Sequence, residues 1–180
     1  NLGWAYSEFE IPNDILSAWR EVGKRGAKDF SAWTKRLDKS ENQSEFLRLV
    51  AQELPVGWVA EFEKFKKSLA ETKPNEATRK SSENVLQVLT AAIPELIGGS
   101  ADLTGSNNTK TRVTAPIQAN DFAGRYIYYC VREHAMAAIM NGIALHGEFI
   151  PYGGTFLVFT DYCRGAIRLS ALMQQRLIYV

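Results

Sequence analysis

Y126-I-Y-Y-C-V-R-E-H-A-M-A-A-I-M-N-G-I-A-L-H146 decides the fold. Its first six residues are a short run of aromatic and β-branched type, which reads as a strand. From Glu133 to about His146 the apolar residues keep helical spacing. The strand passes into the helix through Arg132-Glu133-His134 alone, three polar or charged side chains at one junction.

The same alternation extends on both sides. A helix over about 76–91, closed by Pro94, precedes the apolar run L96-I-G-G99. Downstream come Phe149-Ile-Pro-Tyr152, a helix over about 155–174, and R176-L-I-Y-V180. Strands alternating with helices predict an α/β domain with a mostly parallel sheet. The last run is a strand with no helix to cover it, so the domain reads as incomplete.

Before residue 76 the pattern differs. The first 80 residues carry 27 of the 41 charged side chains and all four tryptophans. After Glu10-Ile-Pro-Asn-Asp14, with Asn13 or Asp14 as the expected cap, an amphipathic helix runs through Trp19 and Val22. Charged helical stretches follow at about 29–38, 42–54 and 56–71, the last two separated by Pro55. They read as a connecting segment of surface helices ending at Lys73-Pro74-Asn75. Glutamates interleave Lys64, Lys66 and Lys67, so that cluster reads as a solvated helix face.

Composition excludes several classes. The 180 residues carry a formal charge of +1, with no electrostatic bias toward nucleic acid or a membrane surface. No apolar run approaches the roughly 20 residues of a membrane span. Cys130 and Cys163 form no C-x-x-C pair and read as reduced, largely buried thiols of a cytoplasmic protein. Two histidines, His134 and His146, argue against a multi-histidine metal site. No G-x-x-x-x-G-K-[ST] loop, G-x-S-x-G elbow or G-x-G-x-x-G is present. The chain starts on Asn1 without Met, which with its final strand suggests a piece of something longer.

In a parallel sheet, ligands bind beyond the carboxyl ends of the strands. Three such ends are visible: G98-G-S-A-D-L-T-G-S-N-N-T109, Arg132-Glu-His134 and Pro151-Tyr-Gly-Gly-Thr-Phe156. With parallel neighbouring strands, all three share one rim. Each also has a plain reading. Gly98-Gly99 can form a turn, and Asp102 and Ser106 can be local turn or capping residues. Glu133 suits a helix N-terminus whatever else it does. His134 reads as a core or interface histidine. Phe156, Phe159, Tyr162, Cys163 and Ile167 fall at three- and four-residue steps, the spacing of a helix core. From the residues alone the reading stops at a rim site on an α/β domain.

Several longer strings go further. A77-T-R-K-S81, G98-G-S-A-D-L-T-G-S-N107, G124-R-Y-I-Y-Y129, V131-R-E-H-A-M136 and Pro151-Tyr-Gly-Gly-Thr-Phe156 resemble the transketolase family. So does the opening Leu2-Gly-Trp-Ala-Tyr-Ser-Glu-Phe-Glu-Ile-Pro12. The strings keep the family's order and cover nearly the whole chain. The resemblance implies a central fragment, residues 1–75 holding the end of the diphosphate-binding domain and a helical linker. Residues 76–180 would be the first part of the pyrimidine-binding domain.

That family uses thiamine diphosphate to move a two-carbon ketol unit from a ketose phosphate to an aldose phosphate, in the pentose phosphate pathway and the Calvin cycle. It works as a homodimer whose active sites are shared between subunits. The resemblance matches Glu133 to the glutamate that shares a proton with N1′ of the aminopyrimidine, a reach that aspartate would miss by one methylene. Phe156, Phe159 and Tyr162 match the aromatic residues around that ring, and Asp102 an aspartate near the cationic thiazolium. Arg79 and Ser106 match residues that hold the sugar phosphate, a guanidinium fork and a hydroxyl being suited to its oxygens. The G-D-G…N stretch for the diphosphate and its Mg²⁺ or Ca²⁺ is absent, as are the family's N-terminal histidines. The implied fragment therefore carries about half a cofactor site and would be inactive alone. The resemblance to dihydroxyacetone synthase and to 1-deoxyxylulose-5-phosphate synthase is the nearest enzymatic alternative. A non-enzymatic assembly module on the same fold is the other, and the intact Glu133 speaks against it.

Overall fold

The computed structural model describes residues 3–180, so the start of the opening string, at Leu2, lies outside the described residues. The chain divides into two compact units, one reaching to Glu45 and the other spanning Phe46–Val180.

The first unit is built from α1 (Asn13–Lys24) and α2 (Ala27–Asp38), neither of which buries a residue. The N-cap of α1 is Pro12, with no side-chain cap bond, so Asn13 and Asp14 stand inside the first turn rather than capping it. Extended Pro12 pre-sets the backbone for the turn, and Asp14 there faces the positive end of the helix dipole. Phe30 stacks on Trp33 at 5.9 Å.

The second unit holds the rest. α3 (Gln43–Val50), which begins just before the boundary, is shorter than its sequence pattern, because Gln52 adopts a left-handed conformation (φ 56°). The amides of Gln52 and Glu53 then bond back to the carbonyls of Leu49 and Arg48, a Schellman closure made with glutamine in the usual glycine position. α4 (Trp58–Thr72) exposes its lysines, Lys66 pairing with Glu63 at 2.7 Å. α5 (Thr78–Ala92) leads into the sheet.

Four parallel strands form that sheet: β1 (Leu96–Ser100), β2 (Tyr126–Tyr128), β3 (Ile150–Gly154) and β4 (Ile178–Tyr179), in the order β2-β1-β3-β4. A one-turn helix, α6 (Thr104–Asn107), follows β1; it lies within the Gly/Ser/Asn-rich stretch read from sequence as loop. α7 (Glu133–His146) joins β2 to β3, and α8 (Thr160–Leu172) joins β3 to β4. Residues 155–159, expected as helix, instead carry Thr155 at the strand end and a 3-10 turn, Leu157–Phe159. β2 is shorter than the Y126–V131 run because Cys130 takes a positive φ of 56° and turns the chain out of the sheet. That residue is exposed, unlike Cys163, which is buried; the expectation that both thiols are largely buried fails at Cys130.

The sheet is covered on both faces. On one side Leu96, Ile150 and Tyr152 pack with Leu86 of α5 and with Ile93 at the end of that helix. On the other, Met136 and Met140 of α7 pack with Ala101 and Tyr129, while Ala137 meets Cys163 and Ala166 of α8. This double cover explains the glycines. Gly98-Gly99, which could have been a turn, lies inside β1, and a methyl group at Gly98 would fall within the Tyr152 ring. A methyl at Gly153 would likewise collide with Met140.

Two buried ionic or polar clamps fix the ends of this unit. Glu95 is 5% exposed and takes both nitrogens of the Arg48 guanidinium, at 2.8 and 3.3 Å, tying α3 to the approach of β1. Arg125 donates to the carbonyls of Thr90, Pro94 and Leu96 from one nitrogen and of Val113 from the other. A cation there satisfies carbonyls left over at the end of α5.

Gly98→Ala should destabilise by about 3 kcal/mol or more in urea titrations, since a rigid ring and not a flexible chain stands in the way. Gly105→Ala in α6, with nothing within 4 Å of its added carbon, should stay within about 0.5 kcal/mol. Burial raises the Cys163 thiol above its ordinary pKa, and the Glu133 carboxylate raises it further. Peptide mapping after mild alkylation should therefore find Cys130 labelled in the native protein and Cys163 labelled only on unfolding; early labelling of Cys163 would contradict its burial.

Candidate active site

The chain passes from β1 to β2 on one side and from β3 to β4 on the other, so the strand order reverses between β1 and β3. In open parallel sheets a crevice opens at that point, outside the carboxyl ends. Here a cleft of about 490 Å³ lies there, lined by Ala101, Asp102, Leu103, Val131, Glu133, Phe159 and Tyr162. Three chain segments, following β1, β2 and β3, each contribute to it.

Local backbone geometry directs those side chains. Asp102 follows the last β1 residues with φ at 59°, and Cys130 follows β2 with φ at 56°. Left-handed non-glycine residues cost conformational energy and concentrate at functional sites. After Cys130 the amide of Arg132 closes onto the Cys130 carbonyl at 2.7 Å, and α7 begins at once. Glu133 thus enters at the first helical position, half-buried, where the helix dipole favours its charge. The buried Cys163 thiol lies within range of that charge.

The aromatic row divides. Cys163 and Ile167 belong to the core between α7 and α8. Phe156 and Tyr162 are exposed and Phe159 half-buried. Phe156 stacks on Phe159 at 5.9 Å with the rings 19° apart, and Phe159 lies 6.2 Å from Tyr162. Helical spacing alone could not separate these two groups, since both sit on the same repeat.

Asp102, Glu133, Phe159 and Tyr162 therefore share one cleft, and Phe156 joins it through its ring contact. Arg79 and Ser106 do not line it. Arg79 is exposed in the first turn of α5, Ser106 is half-buried in α6, and these two helices touch. His134 is exposed at the start of α7, so of the core and interface readings the core one fails.

Sequence reasoning passed over the residues that hold the cleft's floor. Ser100, fully buried, donates to the carbonyl of Gly154 and accepts from the amide of Leu103 and the side-chain amide of Asn107. Thr109 donates to Asn107 and bonds the Tyr126 hydroxyl at 2.8 Å, which also meets Thr104 at 2.8 Å. The Tyr152 hydroxyl donates to the Thr109 carbonyl, and burial pushes its pKa up to about 12. Their signal was present as a Ser/Asn/Thr-rich stretch next to two strand-compatible tyrosines, but nothing local paired them.

The lining carries two carboxylates, aromatic rings and aliphatic carbon, with no cationic side chain. Such a cleft suits a flat, electron-poor or cationic heteroaromatic ring, and is of ordinary size for a small ligand. It does not suit a phosphate.

The profile of the transketolase pyrimidine-binding domain matches residues 75–180. The transketolases of Sinorhizobium medicae and Cereibacter sphaeroides are each 48% identical over 99% of this chain. The chain spans about a quarter of the length of the curated relatives it matches, 26% and 27% in these two. Transketolase from Leishmania mexicana superposes with a TM-score of 0.78 at 38% identity, covering 96% of this chain and 26% of that one. An arginine-to-leucine variant of Pichia stipitis transketolase, in complex with fructose 6-phosphate, gives 0.78 at 38% identity over 96% of this chain and 27% of its own. With the four-stranded parallel sheet and its rim cleft lying inside the matched residues, the chain belongs to the transketolase family and carries its pyrimidine-binding domain.

Proposed function

We propose that this chain is the part of a transketolase that holds the aminopyrimidine of thiamine diphosphate. The observation that carries the reading is the convergence of Glu133, Asp102, Phe159 and Tyr162 on one acid-lined, aromatic cleft within the family's own domain. When bound, thiamine diphosphate supplies an acidic thiazolium carbon that adds to a ketose carbonyl and carries the two-carbon unit to an aldose phosphate. Glu133 holds and exchanges a proton at ring nitrogen N1′. Phe156, Phe159 and Tyr162 enclose the ring and keep water from it. Asp102 balances the positive charge of the thiazolium.

The cleft offers no cation for a phosphate, so the sugar phosphate is held elsewhere. Arg79 and Ser106, on touching helices, supply a guanidinium and a hydroxyl for it. Fructose 6-phosphate in the Pichia stipitis structure supports a sugar phosphate as substrate, with xylulose 5-phosphate as donor and ribose 5-phosphate or erythrose 4-phosphate as acceptor. The diphosphate and its Mg²⁺ or Ca²⁺ are held by other parts of the full-length protein. On this reading residues 1–75 end the diphosphate-binding domain and link it to the pyrimidine-binding domain, and residues 1–180 are inactive alone.

Val131, which lines the cleft, and Leu157 and Val158, all exposed, make an apolar rim that a second polypeptide surface would cover, as a homodimer with shared active sites requires. Two free thiols fit a cytoplasmic enzyme of the pentose phosphate pathway. Among the described residues no helix is long and apolar enough to cross a membrane.

In the full-length protein, Glu133→Ala should lower two-carbon transfer from xylulose 5-phosphate to ribose 5-phosphate by at least about a hundredfold. Near-normal turnover at low thiamine diphosphate sinks the assignment. Arg79→Ala should raise KM for phosphorylated sugars by roughly tenfold or more, with a smaller effect on hydroxypyruvate. Equal losses on both substrates count against a phosphate role.

A further inference from the structure

We propose that Thr155 is a positioning residue for Glu133: its hydroxyl donates a hydrogen bond to the carboxylate once that carboxylate engages a bound ring nitrogen. The inference rests on the reading of Glu133 as the partner of N1′.

The starting observation is an orphan. Thr155 is 8% exposed, and its Oγ1 is fully buried with no hydrogen-bond partner among the described residues. A buried unpaired hydroxyl costs about 1–3 kcal/mol, so its presence needs a reason. Its backbone is ordinary: the Thr155 amide bonds the Val180 carbonyl and continues the β3–β4 ladder. Threonine is therefore not required there by the chain's course, and valine would fill the same volume.

The facing of β3 shows where the hydroxyl lies. Side chains alternate along a strand. A side chain at Gly153 would meet Met136 and Met140 of α7, whereas one at Gly154 would meet Asn107 and Thr109 on the other face. Thr155 returns to the α7 face.

Its height along α7 follows from the two rises. α7 joins the carboxyl end of β2 to the amino end of β3, so it runs antiparallel to the strands and begins at their carboxyl ends. Gly153 stands level with the midpoint of Met136 and Met140. Thr155, two residues further, lies about 6.6 Å nearer the carboxyl end. At 1.5 Å per residue that is about four and a half helical residues, which brings it level with Glu133. Glu133, Met136 and Met140 lie on one stripe of α7, at steps of three and four. Residues 155 and 133 thus stand on facing surfaces at about one height.

The chemistry fits this placement. A carboxylate has two oxygens and several acceptor positions. One oxygen serves the ring nitrogen; a donor on the other fixes the carboxylate plane and leaves no polar atom unpaired. Among the neighbours of Glu133 at this height, Cys163 offers only a weak thiol donor, directed to the Phe159 carbonyl at 3.9 Å. The hydroxyl of Thr155 is the stronger donor. The two are not bonded in the structure; on this proposal the bond forms when the carboxylate turns to meet a bound ring nitrogen.

The test is a binding and stability comparison in the full-length protein, with thiamine diphosphate plus Mg²⁺ and with an analogue whose N1′ is replaced by C–H, both by calorimetry. Thr155→Val should weaken thiamine diphosphate by about tenfold, the worth of one hydrogen bond to a charged group. It should leave the Tm of the cofactor-free protein unchanged or higher, because an unpaired hydroxyl is removed. Thr155→Ser, which keeps the hydroxyl, should bind within about threefold of the parent. With the C–H analogue, parent and Thr155→Val should bind alike, since Glu133 then has no ring partner to be oriented toward.

Unchanged thiamine diphosphate affinity in Thr155→Val overturns the inference. So does a lower cofactor-free Tm or failure to fold, either of which would mean the hydroxyl is already used by the fold. An equal loss with the analogue overturns it as well, because Thr155 would not be acting through Glu133. If the parent protein binds the analogue as tightly as thiamine diphosphate, the pairing of Glu133 with N1′ falls, and the inference with it. A weak analogue together with a normal Thr155→Val removes Thr155 alone.

Discussion

The hydroxyl of Ser100 is the constraint on which the rim depends. A serine hydroxyl has one proton to give and two lone pairs to fill, and here all three are used in a fully buried position. Its proton goes to Gly154, the residue beside it in β3, so the two strands that flank the crevice are locked at their carboxyl ends. Its lone pairs take the Leu103 amide and the Asn107 side chain, which bend the chain after β1 back over the sheet. Because the Gly154 carbonyl can only accept, direction propagates outward: Asn107 must donate to Ser100, Thr109 to Asn107, and Tyr126 to Thr109. A network with one consistent direction has one low-energy arrangement, and the position of Asp102 between Ser100 and Leu103 follows from it.

Much of the fold was legible because it obeys short-range rules. The strand-to-helix passage from Tyr126 to His146, and the boundaries of α5 and α7, came from period and from Pro94. What failed was where a single residue departed from its local preference. Gln52 and Cys130 take left-handed conformations that neither residue type favours, and each shortens the element before it. Gly98 and Gly99 are turn residues by habit, yet they serve β1 because the Tyr152 and Tyr129 rings need the space. That demand comes from neighbouring strands far away in sequence, and no window along the chain contains it.

The site shows the same division. Three strand ends on one rim could be derived from alternation, and Glu133 was marked by its place at a helix start. Its advantage over Arg132 and His134 came from resemblance, not from the residues. The structure adds a separate physical distinction: Glu133 alone of the three lines the cleft, while His134 is exposed. The row from Phe156 to Ile167 has one spacing but two environments. The 3-10 turn at Leu157–Phe159 changes the helical phase before α8 begins, so Phe156 and Phe159 turn outward while Cys163 turns in.

Charge is distributed unevenly around the rim. Carboxylates and rings, without a cation, line the cleft above β1 and β3. Arg79 stands instead, exposed, in the first turn of α5. A guanidinium placed beside Glu133 would pair with its carboxylate. Arg79 does not line the cleft, and Asn107 anchors α6 to Ser100 beside it. The buried hydroxyl that sets the position of Asp102 also holds the helix that carries Ser106, so both halves of the rim are referred to a single atom.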